Sequence, residues 1–237
     1  GGSGKPLSDD SHIIKKLAEK GVPEASAQQV AQSLPRYWGG LPFTAGPAYL
    51  GVFIFLFGLI GFVVLKNTLR WGLLAMTIFG ILLSWGKFLP GFNTFIFEHL
   101  PLYNKFRAPS MAQVIPQLTL AIVAMLTIQQ LFFAEKSREM LQQDFKKILY
   151  TVGGLFAVLA LLYFGMDYSS PSDGEMSAFY QQQSGSPEIG RAIIEGLKAD
   201  RQSMFGSGLL RALLLAAVLL GVLYGYMKNM LKSAAVA

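Results

Sequence analysis

The fold is decided by the stretch Met111-Ala-Gln-Val-Ile-Pro-Gln-Leu-Thr-Leu-Ala-Ile-Val-Ala-Met-Leu-Thr-Ile-Gln-Gln-Leu-Phe-Phe-Ala134, which contains no charged residue. A helix needs about 20 apolar residues to cross the hydrocarbon core of a bilayer, so this stretch predicts a transmembrane helix. The composition agrees with that prediction. Only 14% of the residues are charged and the mean hydropathy is +0.43, whereas soluble domains carry about 25% charged residues.

Four further apolar segments accompany this one, at residues 48–65, 71–85, 148–166 and 208–227. The second of them is short, but the cations that bound it, Arg70 and Lys87, can extend to opposite membrane interfaces. The sequence therefore predicts an all-α, polytopic membrane protein with about five transmembrane helices and helical extracytoplasmic loops.

These segments divide the chain into four regions. Residues 1–47 are predicted to be an extracytoplasmic segment with two short helices. Residues 48–166 are predicted to hold four transmembrane helices with an outer loop at 86–110. Residues 167–207 follow as a second extracytoplasmic loop, and residues 208–237 supply the last transmembrane helix and a cytoplasmic tail.

Local signals predict where the helices outside the membrane begin and end. The first runs from Ser11 to Lys20, with Asp10 or Ser11 as N-cap and Gly21 as the stop. The second has Pro23 at its first helical position and continues from Glu24 to Leu34. The loop 167–207 opens with turn-forming residues, and an amphipathic helix is predicted from Pro187 to Met204.

The distribution of Lys and Arg predicts the orientation. The short loops at 66–70 and 135–147, with the tail from Lys228, carry eight cations against three acids. The remaining segments carry twelve cations and eleven acids. Because the positive-inside rule applies to short loops, the first set is predicted to be cytoplasmic. The N-terminus is then outside and the C-terminus is cytoplasmic.

The composition also argues against several kinds of site. With no cysteine, the chain forms neither disulfides nor thiolate metal sites. The two histidines, His12 and His99, lie far apart in sequence, so no metal site is predicted. No cofactor motif and no nucleic-acid motif is present. The net charge of +6 is typical of loops that face anionic membrane lipids.

The loop before Met111 carries the most suggestive polar residues, namely Asn104, Lys105 and Arg107. Pro109 favours a helix start directly after them, and a helix N-terminus beside two cations favours an anion site. Interfacial contacts of basic residues with lipid head groups would explain the same pattern, so both interpretations stay open.

Further polar residues lie within or beside the apolar segments. Gln113 and Gln117 are four residues apart on one helix face, around Pro116, which we interpret as a kink. Together with Asn104 they are candidates for a polar pocket, although hydrogen bonds between helices would also explain the two glutamines. Arg211 lies just inside the start of the last apolar segment and could pair with an acid or a phosphate.

Three stretches resemble the YfhO-type bacterial membrane proteins, particularly those of the Bacteroidota. They are Tyr37-Trp-Gly-Gly-Leu-Pro-Phe-Thr-Ala-Gly-Pro-Ala-Tyr-Leu-Gly51, Leu82-Leu-Ser-Trp-Gly-Lys87 continuing at Leu102-Tyr-Asn-Lys-Phe-Arg-Ala-Pro-Ser110, and Ala199-Asp-Arg-Gln-Ser-Met-Phe-Gly-Ser-Gly-Leu-Leu-Arg-Ala212. One departure is Gly40, where the family has an acid or an amide. Members of that family are much longer, so the resemblance implies that this chain is an internal or C-terminal piece of a longer polypeptide.

The family in turn resembles glycosyltransferases of the C-type membrane fold (GT-C). The resemblance implies that the protein takes a sugar from a polyprenyl-phosphate carrier at the outer face of the bacterial cytoplasmic (inner) membrane and transfers it to a cell-envelope acceptor. Catalytic acids of such enzymes lie in an outer loop that this chain lacks, so its catalytic residues are unknown. Any divalent cation would be bound by residues outside this chain. The leaving phosphate would be stabilised by cations, for which the candidates are Lys105, Arg107, Arg201 and Arg211.

Two other functions stay open. A lipid or solute transporter, or a flippase, would use Pro116 and the glutamines to line a path. A non-catalytic scaffold of envelope assembly would need neither a path nor catalytic acids. Inverted repeats favour transport, and the sequence shows no clear repeat.

Overall fold

The computed structural model describes residues 11–34, 49–101, 103–105 and 109–231, and all regular structure within these ranges is helical. The α-helices are α1 (His12–Glu19), α2 (Glu24–Ser33), α3 (Val52–Val64), α4 (Leu69–Ser84), α5 (Pro90–His99), α6 (Val114–Ile128), α7 (Ser137–Gly165), α8 (Asp173–Ser184) and α9 (Pro187–Met227). Short 3₁₀ turns cover Gly86–Phe88, Tyr103–Lys105 and Pro109–Gln113, and a π-helical turn covers Gln129–Phe133. The all-α prediction is confirmed.

Among the described residues, three helical stretches are long and apolar enough to cross a membrane: Pro109–Phe133, Ser137–Gly165 and Pro187–Met227. The other two apolar helices, α3 and α4, contain 13 and 16 residues. At 1.5 Å per residue they measure about 20 Å and 24 Å, less than the hydrocarbon thickness of about 30 Å. The all-helical class and the presence of helices that are long and apolar enough to span a membrane are therefore confirmed, whereas the count of five spans is not confirmed by the described residues.

The chain divides into two compact units, residues 1–48 with 158–211 and residues 49–157 with 212–237. The core of the first unit contains Ile13 and Leu17 of α1 together with Ile193 and Leu197 of α9. Gly196 permits a close approach there, because a Cβ atom at this position would lie 2.6 Å from the Cα of Ile13.

The predicted start and stop of α1 are confirmed. The hydroxyl of Ser11 accepts a hydrogen bond from the Ile13 N–H at 3.2 Å, which makes Ser11 the N-cap. Gly21 follows the helix with a φ of +78°, a conformation that favours glycine. The second helix was predicted to begin at Pro23, whereas Pro23 is its N-cap and Glu24 its first residue.

The predicted break between an amphipathic helix and the last transmembrane helix is wrong, because α9 is continuous from Pro187 to Met227. Gly206 and Gly208 lie at the junction of the two predicted segments, and a glycine inside a helix costs only about 1 kcal/mol. Gly206 also has a packing role. A Cβ atom there would lie 3.1 Å from the ring of Tyr163, so the glycine leaves room for that ring.

The two predicted extracytoplasmic loops contain helices that the sequence patterns did not indicate. In the first loop, α5 begins with Pro90 at a favourable first position. It packs on α4 through an edge-to-face contact of Phe92 and Phe79, whose ring centroids are 6.2 Å apart. In the second loop, α8 begins at Asp173, within the stretch 167–174 that was predicted to form turns.

In the second unit, α6 packs against α3 and α4 at positions where the partner helix has glycine. A Cβ atom at Gly61 would lie 2.5 Å from a methyl group of Val123 and would also meet the hydroxyl of Thr127. Gly80 faces Pro116 in the same way, with 2.6 Å to the ring. Pro116 is the third residue of α6, a position at which its missing N–H costs the helix no hydrogen bond.

Hydrogen bonds show which ends of these helices lie together. The Gln130 side chain donates to the Val64 carbonyl at 3.1 Å, and the hydroxyls of Ser137 and Tyr226 are 2.8 Å apart. The short connections after α3 and before α7 therefore meet the end of α9. We call this the basic end, because the connections carry Lys66, Arg70, Lys136 and Arg138. The residues from Gly86 to Pro109 form the loop end.

Candidate functional site

The loop end of the second unit contains a cavity of about 330 Å³ with a predominantly apolar lining. The residues around it include Gly86, Lys87, Asn93, Phe97, Tyr103 and Pro109. They come from the 3₁₀ turn between α4 and α5, from α5 itself and from the two 3₁₀ turns that follow α5. A concave, largely apolar cavity with a few polar groups is the usual form of a small-molecule site.

Asn93 holds the walls of this cavity together. It is buried, and its amide nitrogen donates to the carbonyls of Leu82 at 3.2 Å and Leu89 at 3.3 Å. Its amide oxygen accepts a hydrogen bond from the Tyr103 hydroxyl at 3.3 Å. One side chain thus links the last turn of α4, the start of α5 and the turn at Tyr103.

Gly86 allows the chain to turn sharply from α4 into the loop. Its φ is +47°, and a Cβ atom at this position would lie 3.1 Å from the Cβ of Pro109. Both facts favour glycine, since any side chain would be strained and would press on Pro109. Gly86 therefore allows the start of the loop to pack against Pro109, shortly before the apolar stretch that begins at Met111.

Two described cations belong to the loop end. Lys87 lines the cavity and is exposed, with its Nζ atom 5.3 Å from the centre of the Phe88 ring. Lys105 is exposed and ends the 3₁₀ turn that begins at Tyr103, and Asn104 lies between them in the same turn. Arg107 lies outside the described residues. The loop end thus combines an apolar cavity with exposed positive charges.

The predicted polar pocket of Gln113 and Gln117 is separate from the lining of this cavity. Gln113 ends the 3₁₀ turn that starts at Pro109, and Gln117 follows one turn later in α6. Both side chains are half-buried, and neither forms a hydrogen bond within the described ranges. Their amide groups are available to a polar ligand or to another helix.

The remaining two predicted phosphate ligands belong to the first unit. Arg201 is buried and already occupied, because its guanidinium contacts both carboxylate oxygens of Asp173 at 2.7 Å and 2.8 Å. It also donates to the Tyr168 carbonyl at 2.9 Å. Arg211 is exposed and lies ten residues further along α9, about 15 Å away along the helix axis. The two arginines therefore do not form one site.

Sequence reasoning missed Lys87, Asn93 and Tyr103 as neighbours. Their separation of up to 16 residues follows no periodic pattern, because the contacts depend on the turn at Gly86 and on α5. One signal was present, since Asn93 is an amide among the aromatic residues of a short apolar run. Such a residue needs a hydrogen-bond partner when buried.

The arrangement favours binding of an amphiphilic anion over acid–base chemistry. No carboxylate lines the described part of the cavity. His99, the last residue of α5, donates from Nδ1 to the Phe95 carbonyl at 2.9 Å. No cluster of three or more potential metal ligands occurs among the described residues. An apolar chain could lie in the cavity while its anionic group contacts Lys87 or Lys105.

No protein-family model, curated protein or solved structure matches this chain.

Proposed function

We propose that this chain is the lipid-phosphate-binding part of a membrane-embedded, glycosyltransferase-like protein of the YfhO type. The observation that supports this proposal is the apolar cavity at the loop end, with Lys87 in its lining and Lys105 in the adjoining turn. An isoprenoid chain fits the apolar lining, and its phosphate would pair with the lysines. Charge-assisted hydrogen bonds of this kind are about twice as strong as neutral ones.

The same cations would contribute to sugar transfer. When the sugar leaves a polyprenyl-phosphate carrier, negative charge develops on the phosphate, and positive groups placed at that position lower the barrier. Lys105 and Arg107, and Lys87 in addition, are the residues we propose for this role. The general acid or base would come from the rest of a longer polypeptide, as would the ligands of any divalent cation.

The proposed topology places this loop at the outer face of the bacterial cytoplasmic membrane. In this proposal α3 and α4 also span the bilayer, with their flanking residues, which gives five spans. The basic end then faces the cytoplasm in accordance with the positive-inside rule, and the N-terminal residues lie outside. Membrane lipids, a polyprenyl-phosphate sugar and the remaining polypeptide are the proposed partners.

Binding of undecaprenyl phosphate to the purified chain in nanodiscs tests the proposal, with undecaprenol as the uncharged comparison. We expect the wild-type chain to bind undecaprenyl phosphate more tightly than undecaprenol. K87Q/K105Q should weaken binding of undecaprenyl phosphate about tenfold or more and leave binding of undecaprenol unchanged. The control is K66Q, which removes an exposed lysine at the basic end. Equal binding of undecaprenyl phosphate by K87Q/K105Q and K66Q would refute the site.

A second experiment addresses transfer itself. The full polypeptide that contains this chain would be assayed in membranes with a polyprenyl-phosphate sugar as donor. Loss of transfer in R107A, with normal expression, is the expected result. Phosphate binding without transfer would instead favour a flippase or an envelope scaffold.

A further inference from the structure

The basic end of the second unit contains another cavity, of about 410 Å³, beside the connection between α6 and α7. Its lining includes Phe133, Glu135, Lys136, Arg138, Glu139 and Tyr226. This cavity lies at the opposite end of α6 from the loop end, so it is independent of the proposed lipid-phosphate site.

Four charged side chains line this cavity, two positive and two negative. Glu135, Lys136 and Glu139 are exposed, and Arg138 is half-buried. None of the four forms an ion pair within 4 Å among the described residues, although they are neighbours in sequence. Elsewhere in this unit an acid and a base that are close do pair, as Lys147 and Asp144 do at 2.6 Å.

The Arg138 guanidinium contacts an aromatic ring and one carbonyl group, and most of its N–H donors form no hydrogen bond within the described chain. The guanidinium lies 4.8 Å from the centre of the Tyr226 ring and donates one hydrogen bond, of 3.3 Å, to the Leu231 carbonyl. Within the described chain this is the only acceptor that the guanidinium reaches. Tyr226 is fixed in turn, because its hydroxyl lies 2.8 Å from the Ser137 hydroxyl and donates to the Phe132 carbonyl at 3.2 Å. A preorganised guanidinium is well suited to bind a phosphate.

The cavity lies where apolar helices end. The apolar stretch that starts at Pro109 ends at Phe133, and the one in α9 ends at Met227, one residue after Tyr226. The Phe133 side chain is 58% exposed. The π-helical turn Gln129–Phe133 forms the adjoining wall, and π turns occur frequently at functional sites. Lipid head groups occupy this level of a membrane.

We propose that this cavity binds the head group of a zwitterionic phospholipid of the phosphoethanolamine type. The phosphate would contact Arg138 and Lys136, and the primary ammonium group would contact Glu135 and Glu139. The two charges of such a head group match the two signs in the lining. A purely anionic head group would satisfy the cations and leave two carboxylates unpaired beside it.

Native mass spectrometry of the delipidated full chain in a non-ionic detergent tests this proposal with three phospholipids of equal acyl chains. We expect phosphatidylethanolamine to bind more tightly than phosphatidylglycerol, and more tightly than phosphatidylcholine, whose ammonium group cannot donate hydrogen bonds. E135Q/E139Q should weaken binding of phosphatidylethanolamine about three- to tenfold and reverse the preference toward phosphatidylglycerol. K136Q/R138Q should weaken binding of all three.

The matched control is K66Q, an exposed lysine of the basic end that lies outside this cavity. R138K tests the guanidinium itself while keeping the positive charge. E135Q/E139Q changes only exposed side chains, and such changes usually alter stability by about 0.5 kcal/mol or less. The proposal is overturned if E135Q/E139Q keeps the wild-type lipid preference or if K136Q/R138Q binds as K66Q does. It is also overturned if soluble phosphoethanolamine binds as tightly as the lipid.

Discussion

Replacement of Asp173 by Ala should open the first unit, because it leaves a buried positive charge without its partner. Arg201 is 3% exposed, and Asp173 accepts two hydrogen bonds from it at 2.7 Å and 2.8 Å. Asp173 also accepts a hydrogen bond from the Ser170 N–H at 2.8 Å. Removal of one partner of a buried pair costs about 3–5 kcal/mol.

This loss can be measured by amide hydrogen exchange, which reports the free energy of local opening. Since about 1.4 kcal/mol corresponds to a factor of ten, D173A should accelerate exchange in α1, α8 and the first turns of α9 by about a hundred- to five-thousand-fold. The matched control is D167N. It removes a carboxylate that pairs with Lys198 at 2.7 Å but is exposed, and exposed pairs contribute little to stability.

The double replacement D173L/R201M separates a structural role from a ligand-binding role for Arg201. Replacement of both charges by apolar groups is often close to neutral, so most of the protection lost in D173A should return. The reasoning is refuted if D173A exchanges like D167N, or if the double variant is as unprotected as the single one.

Two further predictions concern packing and acid stability. G61A should destabilise the second unit by about 1–3 kcal/mol in a denaturation experiment, because the new Cβ atom would press on Val123 and Thr127. G72A is the control, since a Cβ atom at Gly72 would have no neighbour within 4 Å. Equal losses of stability in G61A and G72A would contradict the packing described for Gly61. The hydrogen bond from Lys198, and its positive charge, hold the pKa of Asp167 below its ordinary value. The stabilisation from this ion pair is therefore present above about pH 4 and is lost as the pH falls through the lowered pKa of Asp167. K198Q should raise the pKa of Asp167, which an NMR titration would measure. An unchanged pKa in K198Q would refute the pairing.

Local sequence signals predicted the two N-terminal helices α1 and α2 well, but not the short helices α5 and α8. The N-cap of α1 at Ser11 and its stop at Gly21 follow from the chemistry of adjacent residues, so no distant contact was needed to locate them. The helical membrane class was equally accessible, because hydropathy depends on composition. The count of five spans stays a prediction, since α3 ends at Val64 and is only 13 residues long.

The errors and omissions share a cause, which is dependence on partners distant in sequence. Arg201 was assigned to a phosphate because its partner Asp173 lies 28 residues away and matches no motif. The cavity at the loop end depends on the hydrogen bond between Asn93 and Tyr103, and neither residue identifies the other in sequence. The continuity of α9 was missed because glycine weakens a helix without ending it, and Gly206 is retained beside Tyr163.

The contact between the first helix and α9 has a consequence for synthesis of the protein. The Asp200 carboxylate accepts hydrogen bonds from the Ser11 hydroxyl and, at 2.7 Å, from the His12 N–H at the start of α1. These residues are separated by up to 189 positions in the chain. At roughly 5–20 residues per second, the ribosome needs about 10–40 s to reach Asp200 after it has made Ser11. During this interval α1 has no partner from α9, so the nascent first unit is open to chaperones and proteases until its last segment is synthesised.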